Sequence, residues 1–190
     1  MKLRNQYYIL RHGESVANVK DIHSCWPEKN PSPLTLKGKK EVRVVVQKLK
    51  SKKVDFIFSS DLLRTKQTAE ITGKELKIRP KYDKRLREVN VGIFNARPVK
   101  EYKKELPNLE KRFKVKAKGG ETYSEVKKRM FDFLKDIDKR YKGKNILVIS
   151  HQAPLVLLEA KVKGIPNSQV FKIFPKEKRI KTGELRKLKP

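Results

Sequence analysis

Apolar positions along the chain switch repeatedly between two periods. Gln6-Tyr-Tyr-Ile-Leu10, Val54-Asp-Phe-Ile-Phe58 and Asn145-Ile-Leu-Val-Ile149 are short, dense apolar runs of strand length. Between them the spacing becomes helical. Thr35 is placed to cap a helix running through about Lys52, with Leu36, Val42, Val45, Val46 and Leu49 along one broad face. Asp61 predicts the cap of a helix to about Thr72, with Gly73 as its stop. Leu76-Lys-Ile78 reads as a short strand ending at Arg79-Pro80. Residues 82–118 are irregular, with short helices around Val99–Glu105 and Asn108–Lys114. Thr122 and Glu125 have the spacing of a capping box, and Val126, Met130, Phe133, Ile137 and Tyr141 recur behind them at helical intervals. A helix follows from about Pro154 to Lys163, and Gln169–Phe174 reads as a last strand. Strands alternating with helices in this order predict an α/β fold.

A length of 190 residues suits one domain with its own core, and no internal repeat or second domain is visible. The apolar runs are far shorter than the roughly 20 residues of a spanning helix. No apolar signal region follows the N-terminal charges, so no membrane partner is expected. Cys25 is the single cysteine, which excludes an intramolecular disulfide and points to a reducing, cytoplasmic setting.

The formal charge of +28 favours anionic partners of any kind. It is spread along the chain, densest over 37–53, 97–118 and 172–189, and is mostly lysine. Such a coat reads first as a solvated surface, with weak, non-specific nucleic-acid binding as a secondary consequence. A dedicated nucleic-acid site would need a basic stripe interleaved with stacking aromatics, and only Tyr102 and Phe113 in 97–118 offer one. The sequence sets no oligomeric state.

Chemistry concentrates at the ends of the expected strands. Arg11-His12-Gly13-Glu14-Ser15 falls where the first strand gives way to a turn, the edge of an α/β sheet where ligands sit. His151 holds the equivalent place after Asn145–Ile149, and the chain has only three histidines. Arg64, one helical turn past Ser59-Ser60-Asp61, could clamp phosphate oxygens over the same edge. Glu88, among the apolar residues of Leu86-Arg-Glu-Val-Asn-Val-Gly92, is placed for a raised pKa and acid catalysis. A metal centre has only Cys25 and His23 to offer, so none is expected.

Taken in order, Arg-His-Gly-Glu-Ser, Ser-Ser-Asp-Leu-Leu-Arg-Thr-Lys-Gln-Thr-Ala, Leu-Arg-Glu-Val-Asn-Val-Gly-Ile-Phe and Ile-Ser-His resemble the histidine phosphatase superfamily. The resemblance runs from about Tyr7 to Phe174 and is to the branch containing cofactor-dependent phosphoglycerate mutases and fructose-2,6-bisphosphatases. It implies a three-layer αβα sandwich with a mostly parallel central sheet. One domain would span 1–174, with a small cap segment around 93–118 and a loose charged tail over 175–190. It implies a phosphorylated small molecule as substrate and no cofactor.

His12 would be the phosphorylated nucleophile. Arg11, Arg64 and His151 would hold the phosphoryl oxygens, and Glu88 would donate a proton to the leaving group. Asn18 would reach the transferred phosphate. Ser24 lies in the loop Val19–Pro33, which in relatives contributes to the substrate pocket, and is expected to bind substrate. Gly119-Gly-Glu-Thr resembles the family's Gly-Glu-Ser segment, with Glu121 behind the site. The chain departs from the family at Gln152, where glycine is common, and at Phe94, where tryptophan is common. The loop carrying His23, Ser24, Cys25 and Trp26 also matches poorly. Little chain separates Glu88 from His151 to form a water-excluding cap, so hydrolysis is preferred over mutase chemistry.

Overall fold

Strand β1 (Gln6–Arg11) buries Tyr7 and Ile9 on one side and Tyr8 and Leu10 on the other. The computed structural model describes residues 2–189 and places β1 inside a five-stranded sheet. Its partners are β2 (Phe56–Ser59), β3 (Lys81–Tyr82), β4 (Asn145–Ser150) and β5 (Leu185–Leu188), in the order β3-β2-β4-β1-β5. All pairings are parallel except that of β5 with β1. Strand β4 repeats the pattern of β1: Ile146 and Val148 face one layer, Leu147 and Ile149 the other. Near-continuous apolar runs are what a strand covered on both faces requires.

On one face lie α2 (Leu36–Lys50) and α3 (Leu63–Leu76), contributing Val45, Leu49 and Ala69. On the other lie α5 (Tyr123–Arg140) and α6 (Gln152–Val162), contributing Met130, Phe133, Leu155 and Leu158 among others. The fold is therefore the three-layer α/β sandwich that the resemblance implied. Short helices α1 (Val16–Val19), α4 (Val99–Glu105) and α7 (Val170–Ile173) sit in the connections. No helix is long and apolar enough to cross a membrane among the described residues.

Two helix starts follow from local sequence. Thr35 Oγ1 accepts from Gly38 N at 3.0 Å, and Thr122 with Glu125 forms the reciprocal capping box. Leu36, however, is 80% exposed and does not join the buried face of α2.

Other expectations are corrected. Asp61 does not cap α3; its carboxylate takes two hydrogen bonds from Arg87, at 2.7 and 2.5 Å. The carboxylate of Glu28 accepts from Leu63 N at 2.9 Å instead, from 35 residues away. Gly73 does not stop α3 but lies inside it, and the position requires glycine because a Cβ there would meet Ile78 O at 2.5 Å. The expected strand Leu76–Ile78 is the end of that helix and the turn beyond it, with Lys77 in the left-handed conformation, and the strand comes later as β3. The expected strand Gln169–Phe174 is helical as α7, since its buried residues, Val170 and Phe174, are four apart. The stretch from Pro175 is not a loose tail: Ile180 and Leu188 are buried and β5 closes the edge of β1.

Candidate active site

Parallel pairing aligns the carboxyl ends of β1, β2 and β4 along one edge. Arg11 is level with Ser150, and Ser59 with Ile149. His12 N donates to Ser150 O at 3.1 Å, and Ser60 N to Ile149 O at 3.1 Å. His12, Ser60 and His151 are therefore delivered to one place by the sheet itself. Gly13 leaves room for the close passage of α2, because a Cβ on it would lie 2.4 Å from Gly38 O. Gly38 in turn has no room for a Cβ, which would fall 2.0 Å from Glu14 O.

The two histidine rings meet edge to face, with centroids 5.2 Å apart. Arg64 ties them together from the first turn of α3. Its Nε donates to His12 Nε2 at 3.2 Å, and its Nη2 bonds His151 Nδ1 at 3.0 Å. A guanidinium only donates, so both of these ring nitrogens present lone pairs. The remaining nitrogens carry the protons: His12 Nδ1 donates to Gly13 O at 2.7 Å, and His151 Nε2 donates to Ser60 Oγ at 3.0 Å. Burial, and then the charge of Arg64, push both imidazoles well below the usual histidine pKa. Both are neutral, with opposite tautomers.

Arg64 also donates from Nη1 to Ser24 Oγ at 3.1 Å and from Nη2 to Ser24 O at 2.8 Å. The Arg11 guanidinium is held by one hydrogen bond, from Nη1 to Ile180 O at 3.2 Å, and its buried Nε has no partner among the described residues. Glu88 Oε1 accepts from Val89 N at 2.9 Å. Burial raises the Glu88 pKa, and the opposing charges of Arg64 and Arg11 do not cancel the effect.

Arg11, His12, Asn18, Ser24, Arg64 and Glu88 line a single cleft of about 620 Å³. His151 lies directly behind Arg64, fully buried. The structure thus brings together every residue the sequence pointed to. Asn18 reaches the cleft while its Oδ1 accepts from Ser15 N and Oγ at 3.0 and 2.9 Å. Cys25 is buried beside the site, its thiol pushed up to about 11 by burial. Among the described residues no three His, Cys, Asp or Glu side chains converge as a metal site.

Three supporting residues were not legible beforehand. Ser60 accepts from His151 Nε2 in the tautomer that Arg64 sets, and only its place after β2 hinted at it. Glu28 faces Arg64 Nη1 at 3.7 Å. Arg129, on α5, donates to the backbone carbonyls of Arg85, Arg87 and Glu88 at 2.6, 2.8 and 3.1 Å. Arg129 also pairs with Glu121, whose Oε2 accepts from Asn90 N at 2.9 Å. Together they hold the loop that carries Glu88, with Glu121 behind the site as the resemblance implied.

The family model of the histidine phosphatase superfamily (branch 1) matches residues 7–181. A probable phosphoglycerate mutase GpmB of Yersinia enterocolitica is 31% identical over 167 residues, covering 85% of this chain and 76% of that protein. Among solved structures, YhfR of Bacillus stearothermophilus superposes with a TM-score of 0.77 at 28% identity, over 88% of this chain and 84% of that one. The alpha-ribazole phosphatase of Shigella flexneri shares the fold, with a TM-score of 0.79 at 23% identity over 95% and 88% of the two chains. With the motifs, the sheet-edge geometry and the match across most of the chain in agreement, this protein belongs to branch 1 of the histidine phosphatase superfamily.

Proposed function

We propose that the chain is a phosphomonoesterase that hydrolyses small phosphorylated molecules through a phosphohistidine on His12. The observation that carries this reading is the state of His12. Arg64 Nε donates to its Nε2 at 3.2 Å, a bond that an incoming phosphoryl group must displace, and its Nδ1 proton is spent on Gly13 O, so the ring is neutral with its lone pair on Nε2. That is the state a histidine nucleophile requires.

In the first step Nε2 forms a bond to phosphorus as the bond to the ester oxygen breaks. Arg11 and Arg64 stabilise the charge on the equatorial oxygens, where positioning and electrostatics supply most of the rate. Protonated Glu88 gives its proton to the departing alkoxide. In the second step water attacks the phosphohistidine, the Glu88 carboxylate takes its proton, and Nε2 recovers its lone pair as phosphate leaves. Both ring nitrogens of His151 are engaged in the resting site, so it orients Arg64 there. Contact with the phosphoryl oxygens would require it to exchange its bond to Arg64.

The test is phosphate release from a panel of aryl, sugar and nucleotide phosphates with chelator present and the His12→Ala protein in parallel. Turnover by the wild type alone supports the reading, and undiminished turnover by His12→Ala removes it. A mutase is the second reading, favoured by the names of the curated relatives. Product analysis separates the two: free phosphate for the hydrolase, positional isomers of one ester for the mutase.

A further inference from the structure

The cleft extends beyond the residues of its catalytic end. Its volume of about 620 Å³ is more than a phosphorylated three-carbon acid fills. It falls within the range, roughly 300–1,000 Å³, of sites that enclose drug-sized molecules. Tyr102, Tyr123 and Phe171 line this outer part, with the Tyr123 and Phe171 rings 5.5 Å apart. A guanidinium lies over two of the three rings: Arg112 over Tyr102 at 4.5 Å, and Arg179 over Phe171 at 4.9 Å.

The two arginines differ in what they have left to donate. Arg112 is buried, with Nε and Nη2 on Leu106 O and Nη1 on Tyr123 Oη. Arg179 commits only Nε, to Phe174 O at 3.1 Å. Neither of its Nη groups has a hydrogen-bond partner among the described residues, and no carboxylate pairs with either arginine there. Burial, the largest effect, disfavours the charge on Arg179, as does neighbouring Arg112, while Tyr123 and Glu177 act in the opposite direction without cancelling it. A half-buried cation with free donors beside a second cation is a place where an anion is stabilised.

The backbone ties this place to the catalytic end. Ile180, the next residue, offers its carbonyl to Arg11 Nη1 at 3.2 Å and to Gln152 Nε2 at 3.1 Å. One segment therefore carries Arg179 and anchors a catalytic-end arginine, which sets the spacing between two anion-binding groups. Gln152, where the family often has glycine, supplies the second fastening.

We propose that the substrate is a phosphate monoester with a flat, largely apolar body and a second anionic group, and that Arg179 receives that second group. The proposal rests on the phosphomonoesterase reading. Its test compares aryl phosphates that are alike except for a neutral group, a carboxylate or a second phosphate at the far end. The three esters are assayed with wild type, Arg179→Leu and Arg179→Lys, each checked for folding by near-ultraviolet circular dichroism.

Wild type is expected to prefer a charged ester by roughly tenfold or more in kcat/KM, the worth of a charge-assisted hydrogen bond. Arg179→Leu should lose most of that preference, mainly through KM, and Arg179→Lys should keep part of it. The carboxylate and phosphate arms distinguish which anion is taken. Equal preference in wild type and Arg179→Leu, or no preference in wild type, overturns the proposal while leaving hydrolysis intact.

If no ester is turned over, the reading of the catalytic end fails separately. Calorimetric binding of the dephosphorylated aryl carboxylate then decides the second site. Binding by wild type that is weakened in Arg179→Leu upholds it, and no binding by wild type overturns it.

Discussion

His12 and His151 are neutral for one reason, burial beside Arg64, yet they hold their protons on opposite nitrogens. The consequences for pH have definite signs. An unfolded histidine takes a proton near 6.5 and the folded ones do not, so stability should fall as pH drops through that range. Denaturant midpoints measured from pH 7.5 to 5.5 check this. His12, the proposed nucleophile, stays neutral in the same interval, so kcat/KM should not fall there with the usual histidine pKa. It should fall instead on the alkaline side of the raised Glu88 pKa, as the proton donor ionises. Glu88→Gln should abolish that alkaline limb and cost about a hundredfold or more in rate. The proposed catalytic residues were readable in the sequence because His12, Arg64 and His151 come just after strands and Glu88 falls in a motif. Arg129 and Arg179 were not, because what distinguishes them is a partner or a ring 5 to 44 residues away.

At the level of elements, what could be read was what the chain decides locally. Thr35 and Thr122 cap their own helices, and both starts were predicted where they occur. The start of α3 is capped by Glu28 from a distant loop, and Gly73 is a glycine because of the returning chain at Ile78 and Pro80 rather than because a helix ends. Nothing in the neighbouring sequence carries that information. The same close approach governs the nucleophile loop. Gly38→Ala would press a methyl into the Glu14 backbone, and it should cost roughly 1–3 kcal/mol while displacing His12. Thermal unfolding with activity measured on the folded fraction tests both parts. Arg129→Met should destabilise by about 2 kcal/mol through its lost carbonyl and Glu121 bonds. It should also lower kcat more than it raises KM, since it releases the Glu88 loop rather than a substrate contact.

Across the whole molecule, the C-terminal segment ties fold and site together. Gly183 N donates to the carbonyls of Arg11 and His12 at 3.2 and 3.1 Å, and β5 covers the edge that β1 would otherwise expose. The charged composition of 175–190 concealed this, because Ile180, Leu185 and Leu188 are sparse among lysines and match no clear period. Truncation after Thr182 should remove the buried Leu188, costing at least about 2 kcal/mol, and should depress activity by loosening Arg11 and His12. A truncated protein equal to the full chain in melting temperature and kcat would refute that role. The three-layer architecture itself was legible because the runs of β1, β2 and β4 are densely apolar, whereas β3 is two exposed residues and β5 carries Arg186 and Lys187 between its leucines.

In the proposed mechanism the phosphoryl group passes through Nε2 of His12. The most direct measurement is to mix Glu88→Gln protein, in which release to water should be slowed, with a turned-over aryl phosphate. The reaction is quenched in base, and the adduct is mapped by mass spectrometry and phosphorus NMR. One phosphoryl group on His12, attached at Nε2, stable in base and lost in acid, is the predicted result. An adduct on another residue, or steady turnover by Glu88→Gln and by His12→Ala with no adduct at all, would contradict it.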